Sequence, residues 1–365
     1  MIIIAILSVI LFYVGQFIEN LPSKPVAYFF NTALFLLTLY CFLDITYTAD
    51  WEMYYYIFKF EKDTDFMFSK LTVLFKSFQL NFNDLYQFHI LVTVSLYYLL
   101  ISRFTKNIFF IFLAYIILDN IHFVNQIRYY LGFPILMLGY YFLFYKKNYI
   151  VSILLIIISI LCHSGLAFLL IFIPINIFVP TKRYYYYILL FSSFVFLIAL
   201  FIYNTTLGDI LIPFGGYMTQ DFHSSFLGGL YNAIPYIIFT VVLYKETFSL
   251  LEREPEIMEN PKFRFLYKVC FFPVIFIPAS FMLQIIGHRY VMTYSVFWIL
   301  YYYLFFIKNQ ETKIKLEKFL ILCGIIFICA VFIYIIPGYI FSENHFTDEF
   351  IKMIKSSDNL KELID

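Results

Sequence analysis

The sequence predicts an all-α, polytopic integral membrane protein, and three observations lead there. Apolar residues make up 62% of the 365 and charged residues only 13%, about half the ~25% charge of a soluble domain. Apolar runs close to the ~20 residues that a helix needs to cross a bilayer recur along the chain. Lysines and arginines gather in short turns between those runs. A net charge of +1 gives no electrostatic case for nucleic acid.

Taken in order, the stretch from Met1 to Phe17 is apolar but lacks a basic n-region and a small-residue cleavage site. It therefore reads as a first span and not as a removed signal peptide. Apolar runs follow at 26–43, 86–103, 107–123, 129–145, 184–203, 229–245, 265–286, 290–307 and 319–340. Basic turns lie at Lys24, Arg103/Lys106, Lys146/Lys147, Lys182/Arg183, Lys245 to Arg264 and Lys308 to Lys318. The positive-inside rule makes all of them cytoplasmic only if residues 148–180 go out and return. That stretch is expected to be a hairpin of two short or tilted helices turning near His163-Ser164-Gly165. The result is about twelve membrane segments with both termini outside.

The expected organisation is a single transmembrane domain over 1–341, with outer loops at 44–85 and 204–228 and a cytoplasmic loop at 245–264. A polar tail at 342–365 completes it, read as a surface helix. In the first outer loop Met67, Leu71, Leu74, Phe75 and Phe78 follow helical spacing, which predicts an amphipathic helix in the interface plane. The loop at 204–228, with Asp209, Gly215, Gly216, Asp221 and His223, reads as a mobile loop or lid. Cys41, Cys162, Cys270, Cys323 and Cys329 have no CxxC spacing and read as packing residues. Gly132, Gly139 and Gly165 are expected to serve helix packing. HExxH, Walker A, GxGxxG and DxD motifs are absent from the sequence.

Arg128 and Arg289 each fall between two long apolar runs, in what reads as a short turn. A cation near bilayer depth needs an anionic partner or a function. Four elements then share the outer face: Asp50-Trp51-Glu52-Met53-Tyr54, Asn125-Gln126-Ile127-Arg128, His163-Ser164 and His288-Arg289. Asp119 and His122 precede the second of these. Each has a bland alternative. Asp50 and Glu52 are then solvated charges, His163, His122, His288 and Tyr54 packing residues, and Arg128 a structural partner of Asp119. His89, well inside the third span, reads as structural. The functional alternative is glycosyl transfer from a lipid diphosphate. Fixed cations at Arg128 and Arg289 meet the charge of the leaving diphosphate. His163 or Asp50 activates a sugar hydroxyl, and Tyr54, Glu52, Gln126 and His288 complete substrate binding. No His/Cys/carboxylate set has divalent-metal spacing, so neither a metal nor a cofactor is expected.

These residues, in this order, resemble the EpsG family of Wzy-type polysaccharide polymerases. The resemblance runs through Asp50 to Tyr54, the acidic-aromatic stretch Asp63-Thr64-Asp65-Phe66-Met67-Phe68, Ile127-Arg128, Tyr145-Lys146-Lys147 and His163-Ser164-Gly165-Leu166. Arg289-Tyr290 adds weaker support. Thr48-Ala49 replaces a usual glycine, and Tyr129 stands where glutamine often follows the arginine. The resemblance implies polymerisation of undecaprenyl-diphosphate-linked oligosaccharide repeats, which serve as both donor and acceptor. It puts the site at the periplasmic or exterior face of a bacterial cytoplasmic (inner) membrane. It also implies a setting in membrane lipid, with flippase and chain-length regulator proteins as partners. A GT-C-like fold is the analogy it carries.

Other classes stay open at this level. A flippase or secondary transporter would also have about twelve segments, but with internal repeats and midplane carboxylates. An O-antigen ligase would use the same lipid-facing surface, with a basic outer loop where 44–85 is slightly acidic. A membrane O-acyltransferase is the remaining alternative.

Overall fold

The computed structural model describes residues 24–62, 65–203, 226–308, 310–334 and 345–362. The expected first span, Asp63, the lid residues Asp209, Gly215, Gly216, Asp221 and His223, and the start of the tail at 342–344 lie outside them. The helices are α1 (Lys24–Leu43), α2 (Trp51–Phe60), α3 (Phe66–Ser77), α4 (Phe82–Ser102), α5 (Ile108–Asn125), α6 (Ile127–Tyr140), α7 (Tyr149–Cys162) and α8 (Phe172–Phe178). They continue as α9 (Tyr184–Tyr203), α10 (Phe226–Arg253), α11 (Pro261–Phe271), α12 (Gln284–Tyr290), α13 (Ser295–Tyr302), α14 (Thr312–Tyr334), α15 (His345–Lys355) and α16 (Asp358–Glu362). Among the described residues, 7 helices are long and apolar enough to cross a membrane. Shorter apolar helices occupy Tyr28–Leu43, Tyr149–Cys162 and Ser164–Phe178. The expected hairpin region thus consists of two short helical stretches, interrupted by extended backbone at His163.

The chain forms two compact units, Met1–Phe168 with Tyr334–Asp365, and Leu169–Ile333. In the first, α6 is buried along its whole length. Its neighbour α7 packs antiparallel to it. Gly132 and Gly139, two turns apart on α6, make this approach possible. A Cβ at Gly132 would lie 2.9 Å from the Ser159 carbonyl oxygen and press on Leu166, and one at Gly139 would lie 3.0 Å from Ile156 Cγ1.

The expected amphipathic helix forms as α3. Phe68 and Thr72 are buried while Leu74 and Phe78 are exposed. Phe68 follows Asp65 at i+3 and Thr72 follows at i+7, so the polar residue that opens the helix fixes its rotation. Met67 packs with Leu131, Ile135 and Cys162, so α3 is part of the first unit's packing and not only an interfacial element. The C-terminal tail is two helices docked on the same unit. Thr46 Oγ1 donates to the Ser356 carbonyl at 2.8 Å, and the Asn359 N–H donates to Asp44 Oδ2 at 3.1 Å.

In the second unit, buried Lys268 donates to the carbonyls of Asn176 (2.7 Å) and Val179 (2.9 Å), closing the end of α8. Lys318 pairs with Glu246 at 2.7 Å. Two expectations are corrected here. The run at 265–286 is not one span: α11 ends at Phe271, and short 3-10 turns at Phe272–Phe276 and Ala279–Phe281 follow. Pro273 and Pro278 supply no N–H to a helical ladder. The supposed cytoplasmic loop is helical in its first half, since α10 runs to Arg253 and stops only before Pro255. Both arginine turns are also corrected. Arg128 is the second residue of α6, and Arg289 lies in the last turn of α12.

The glycine packing gives a paired prediction. Gly132→Ala forces backbone carbonyl and side chain apart and lowers stability by about 1–3 kcal/mol. A Cβ at Gly324 in α14 meets nothing within 4 Å. Gly324→Ala therefore leaves stability unchanged or raises it, by at most the ~1 kcal/mol of helix preference. Thermal melting of the purified variants checks both; equal effects would contradict the packing account.

Candidate active site

The site in the first unit is built around Arg128. Its Nη1 lies 3.0 Å from Asp65 Oδ2, and each side chain is only 9% exposed. The guanidinium carbon sits 5.1 Å from the centre of the Tyr54 ring and 5.6 Å from that of Phe68. Those two rings are themselves 5.6 Å apart. A cation against two aromatic faces gains from their negative quadrupoles while water is kept away. Arg128 also lies in the first turn of α6, where the positive end of the helix dipole favours an anion.

Asp65 ties three elements together. One carboxylate oxygen holds Arg128, while Oδ1 accepts the Ser164 N–H at 2.9 Å. The turn after α7 is thereby anchored to the start of α3. His163 is buried just before that turn, with its ring edge-on to Tyr129 at 5.3 Å. Its Nδ1 accepts the Gly165 N–H at 3.0 Å. Tyr129 therefore supports the histidine at the position where the resemblance expects glutamine.

Asp50 lies at the N-terminus of α2. Its N–H donates to Asn125 Oδ1 at 2.6 Å, which brings the start of α2 to the α5–α6 junction. Trp51 reinforces this by packing on Phe82 and Tyr86, at 5.0 Å and 4.7 Å. Tyr54, one turn on from Asp50, is buried against Arg128, whereas Glu52 is exposed. Gln126 is the junction residue itself, donating its N–H to the His122 carbonyl at 2.8 Å.

Three of the four elements singled out in the sequence thus meet in one unit: Asp50–Tyr54, Asn125–Arg128 and His163–Ser164. His288 and Arg289 belong to the second unit, where Arg289 is buried and its carbonyl accepts the Thr293 hydroxyl at 2.7 Å. Asp65 was not singled out as a site residue, although it stands in the acidic-aromatic stretch. Its signal was an acid at the first position of an amphipathic helix, three residues before a large aromatic. The bland pairing of Arg128 with Asp119 does not form. The backbone departs from helix at Asp119 (φ −134°, ψ 28°). Its carboxylate is taken instead by Tyr115, Tyr130 and His122. His89 is buried with its ring 5.5 Å from Phe68, which makes it part of the wall behind the Arg128 cage.

The EpsG family model matches residues 26–348, a range that takes in every site residue named above. No curated protein and no solved structure matches the chain.

The ion pair predicts energetic coupling. Asp65→Asn and Arg128→Gln should each destabilise the protein, and the double variant should lose less than their sum. A coupling of about 0.5–3 kcal/mol is expected for residues in direct contact. Additive losses in thermal melts of the purified proteins would mean that the pair does not hold the site together.

Proposed function

Because the chain belongs to the EpsG family of Wzy-type polysaccharide polymerases, we propose that it elongates a glycan by transferring it from a polyprenyl diphosphate, undecaprenyl diphosphate in bacteria, to a hydroxyl of an incoming lipid-linked repeat. The reaction takes place at the outer face of the cytoplasmic membrane. The observation that carries this reading is the buried Arg128 cation, held in one orientation by Asp65 and two aromatic rings. The charge that develops on a leaving diphosphate needs donors fixed in advance, and a guanidinium matches phosphate oxygens in pairs. A diphosphate oxygen shares the fork with Asp65 or replaces it, and the aromatic cage keeps the cation in place during the exchange.

Asp50, Glu52, Gln126 and His163 are assigned to the acceptor side. Exposed Tyr55, Tyr56 and Phe66 offer aromatic faces suited to sugars and to the lipid tail. In the second unit, Arg289 and His288 are assigned the same classes of contact on residue chemistry alone, and Arg289→Lys tests that assignment separately. The sidedness follows from the Lys/Arg asymmetry of the turns.

Deletion of the gene separates the classes. Loss of a polymerase leaves glycans of single repeats. Loss of a flippase would leave none displayed, and loss of an acyltransferase would leave full polymer lacking a substituent. Arg128→Lys keeps the charge but loses the paired fork. It should reduce elongation by about 10²–10³, the loss typical of a missing charge-stabilising donor, in protein that is still made and inserted. Normal chain length in that variant would overturn the role of Arg128.

A further inference from the structure

Two histidines of the first unit are held through the same ring atom by partners of opposite kind. His163 Nδ1 accepts the Gly165 N–H at 3.0 Å. A backbone amide can only donate, so Nδ1 carries the lone pair and the proton of the neutral ring sits on Nε2. His163 is therefore set up as a donor. His122 Nδ1 lies 2.9 Å from Asp119 Oδ1. Oδ2 of that carboxylate accepts the hydroxyls of Tyr130, at 2.6 Å, and Tyr115, at 3.2 Å. Hydroxyl donors on one oxygen leave the other for the His122 imidazole, and an Nδ1–H donated there leaves the basic lone pair at Nε2. A carboxylate that fixes the tautomer of an imidazole in this way is the device that prepares a histidine to accept a proton from a hydroxyl.

The position of the pair points the same way. The Asp119 side chain has 0% exposure, inside a helix long and apolar enough to cross a membrane. An ionisable group at that depth is costly, and such groups typically mark functional sites. The helix also departs from regular geometry at Asp119 itself, and the His122 carbonyl accepts the N–H of Gln126, two residues before Arg128.

We infer that His122, oriented by Asp119, is the base of the elongation step, and that His163 donates its Nε2–H to a substrate oxygen. The inference rests on the polymerase reading. The acceptor oxygen bonds to the anomeric carbon of the donor glycan. The bond from that carbon to the diphosphate oxygen breaks, and its electron pair leaves with the diphosphate. The acceptor's proton moves to His122 Nε2, and the added negative charge on the diphosphate is met by Arg128. Asp119 is a positioning residue in this step.

The test uses the purified full-length protein and a polyprenyl-diphosphate-linked repeat, with donor binding and single-turnover transfer of bound donor measured separately. His122→Gln and Asp119→Asn should each slow transfer by about 10²–10⁴, the usual worth of a general base, with donor binding kept. His163→Ala should also slow transfer. His163→Gln, which restores an N–H near the ε position, should recover about tenfold or more of that loss; glutamine at 122 cannot accept the proton and gives no such recovery. Transfer by His122→Gln within about tenfold of wild type would overturn the base assignment, as would loss of donor binding in step with transfer. If His122→Gln fails to fold, Asp119→Asn decides the same point. A His163→Gln protein no better than His163→Ala overturns the donor half. A wild type that never lengthens the repeat sinks the polymerase reading itself, whereas elongation by both wild type and His122→Gln sinks only this assignment.

Discussion

The ion pair between Arg128 and Asp65 is the constraint on which the described site depends. A guanidinium within the packed interior of a membrane protein needs a counter-charge, since a cation at that depth is expensive alone. Asp65 supplies it, and its other oxygen holds the Ser164 N–H. One carboxylate thereby sets the rotation of α3, the orientation of the Arg128 fork and the turn that follows His163. The aromatic rings of Tyr54 and Phe68 complete the enclosure. Replacing such a buried pair by apolar residues often costs nothing, whereas removing one partner is damaging. Its retention here is therefore better explained by a task for the cation than by stability.

The surrounding structure serves to keep that cluster rigid. The α6–α7 contact, closed by two glycines, carries Arg128 and His163 side by side at the same end. The α2 helix is pinned by the Asp50–Asn125 hydrogen bond and by Trp51. The docked tail fastens the segment between α1 and α2 through Asp44 and Thr46. Precise placement of this kind is what charge stabilisation requires, because donors that must reorganise during the reaction contribute little.

Much of this was legible in the sequence, and the exceptions have physical causes. Hydropathy found the long helices because burial in lipid demands unbroken backbone hydrogen bonding. It failed at 265–286, where the composition is apolar but Pro273 and Pro278 interrupt the ladder. It failed again at 245–253, where charged residues read as a loop although nothing in them breaks a helix. Arg128 was visible as an isolated cation and His163 as the residue at a forced break. Asp65 and the Asp119–His122 pair were less visible, because partnership depends on side-chain direction. Asp119 is nearer to Arg128 in sequence than Asp65 is, yet the local backbone and two tyrosine hydroxyls turn it elsewhere.

The central claim is that this protein joins lipid-linked repeats and does not merely move or decorate them. Reconstitution of the purified protein in liposomes containing a defined undecaprenyl-diphosphate-linked repeat tests it most directly. The account predicts lipid-linked products of two and more repeats, with one lipid diphosphate released for each repeat joined. Repeats that stay single, whether they cross the bilayer or remain where they began, would contradict it.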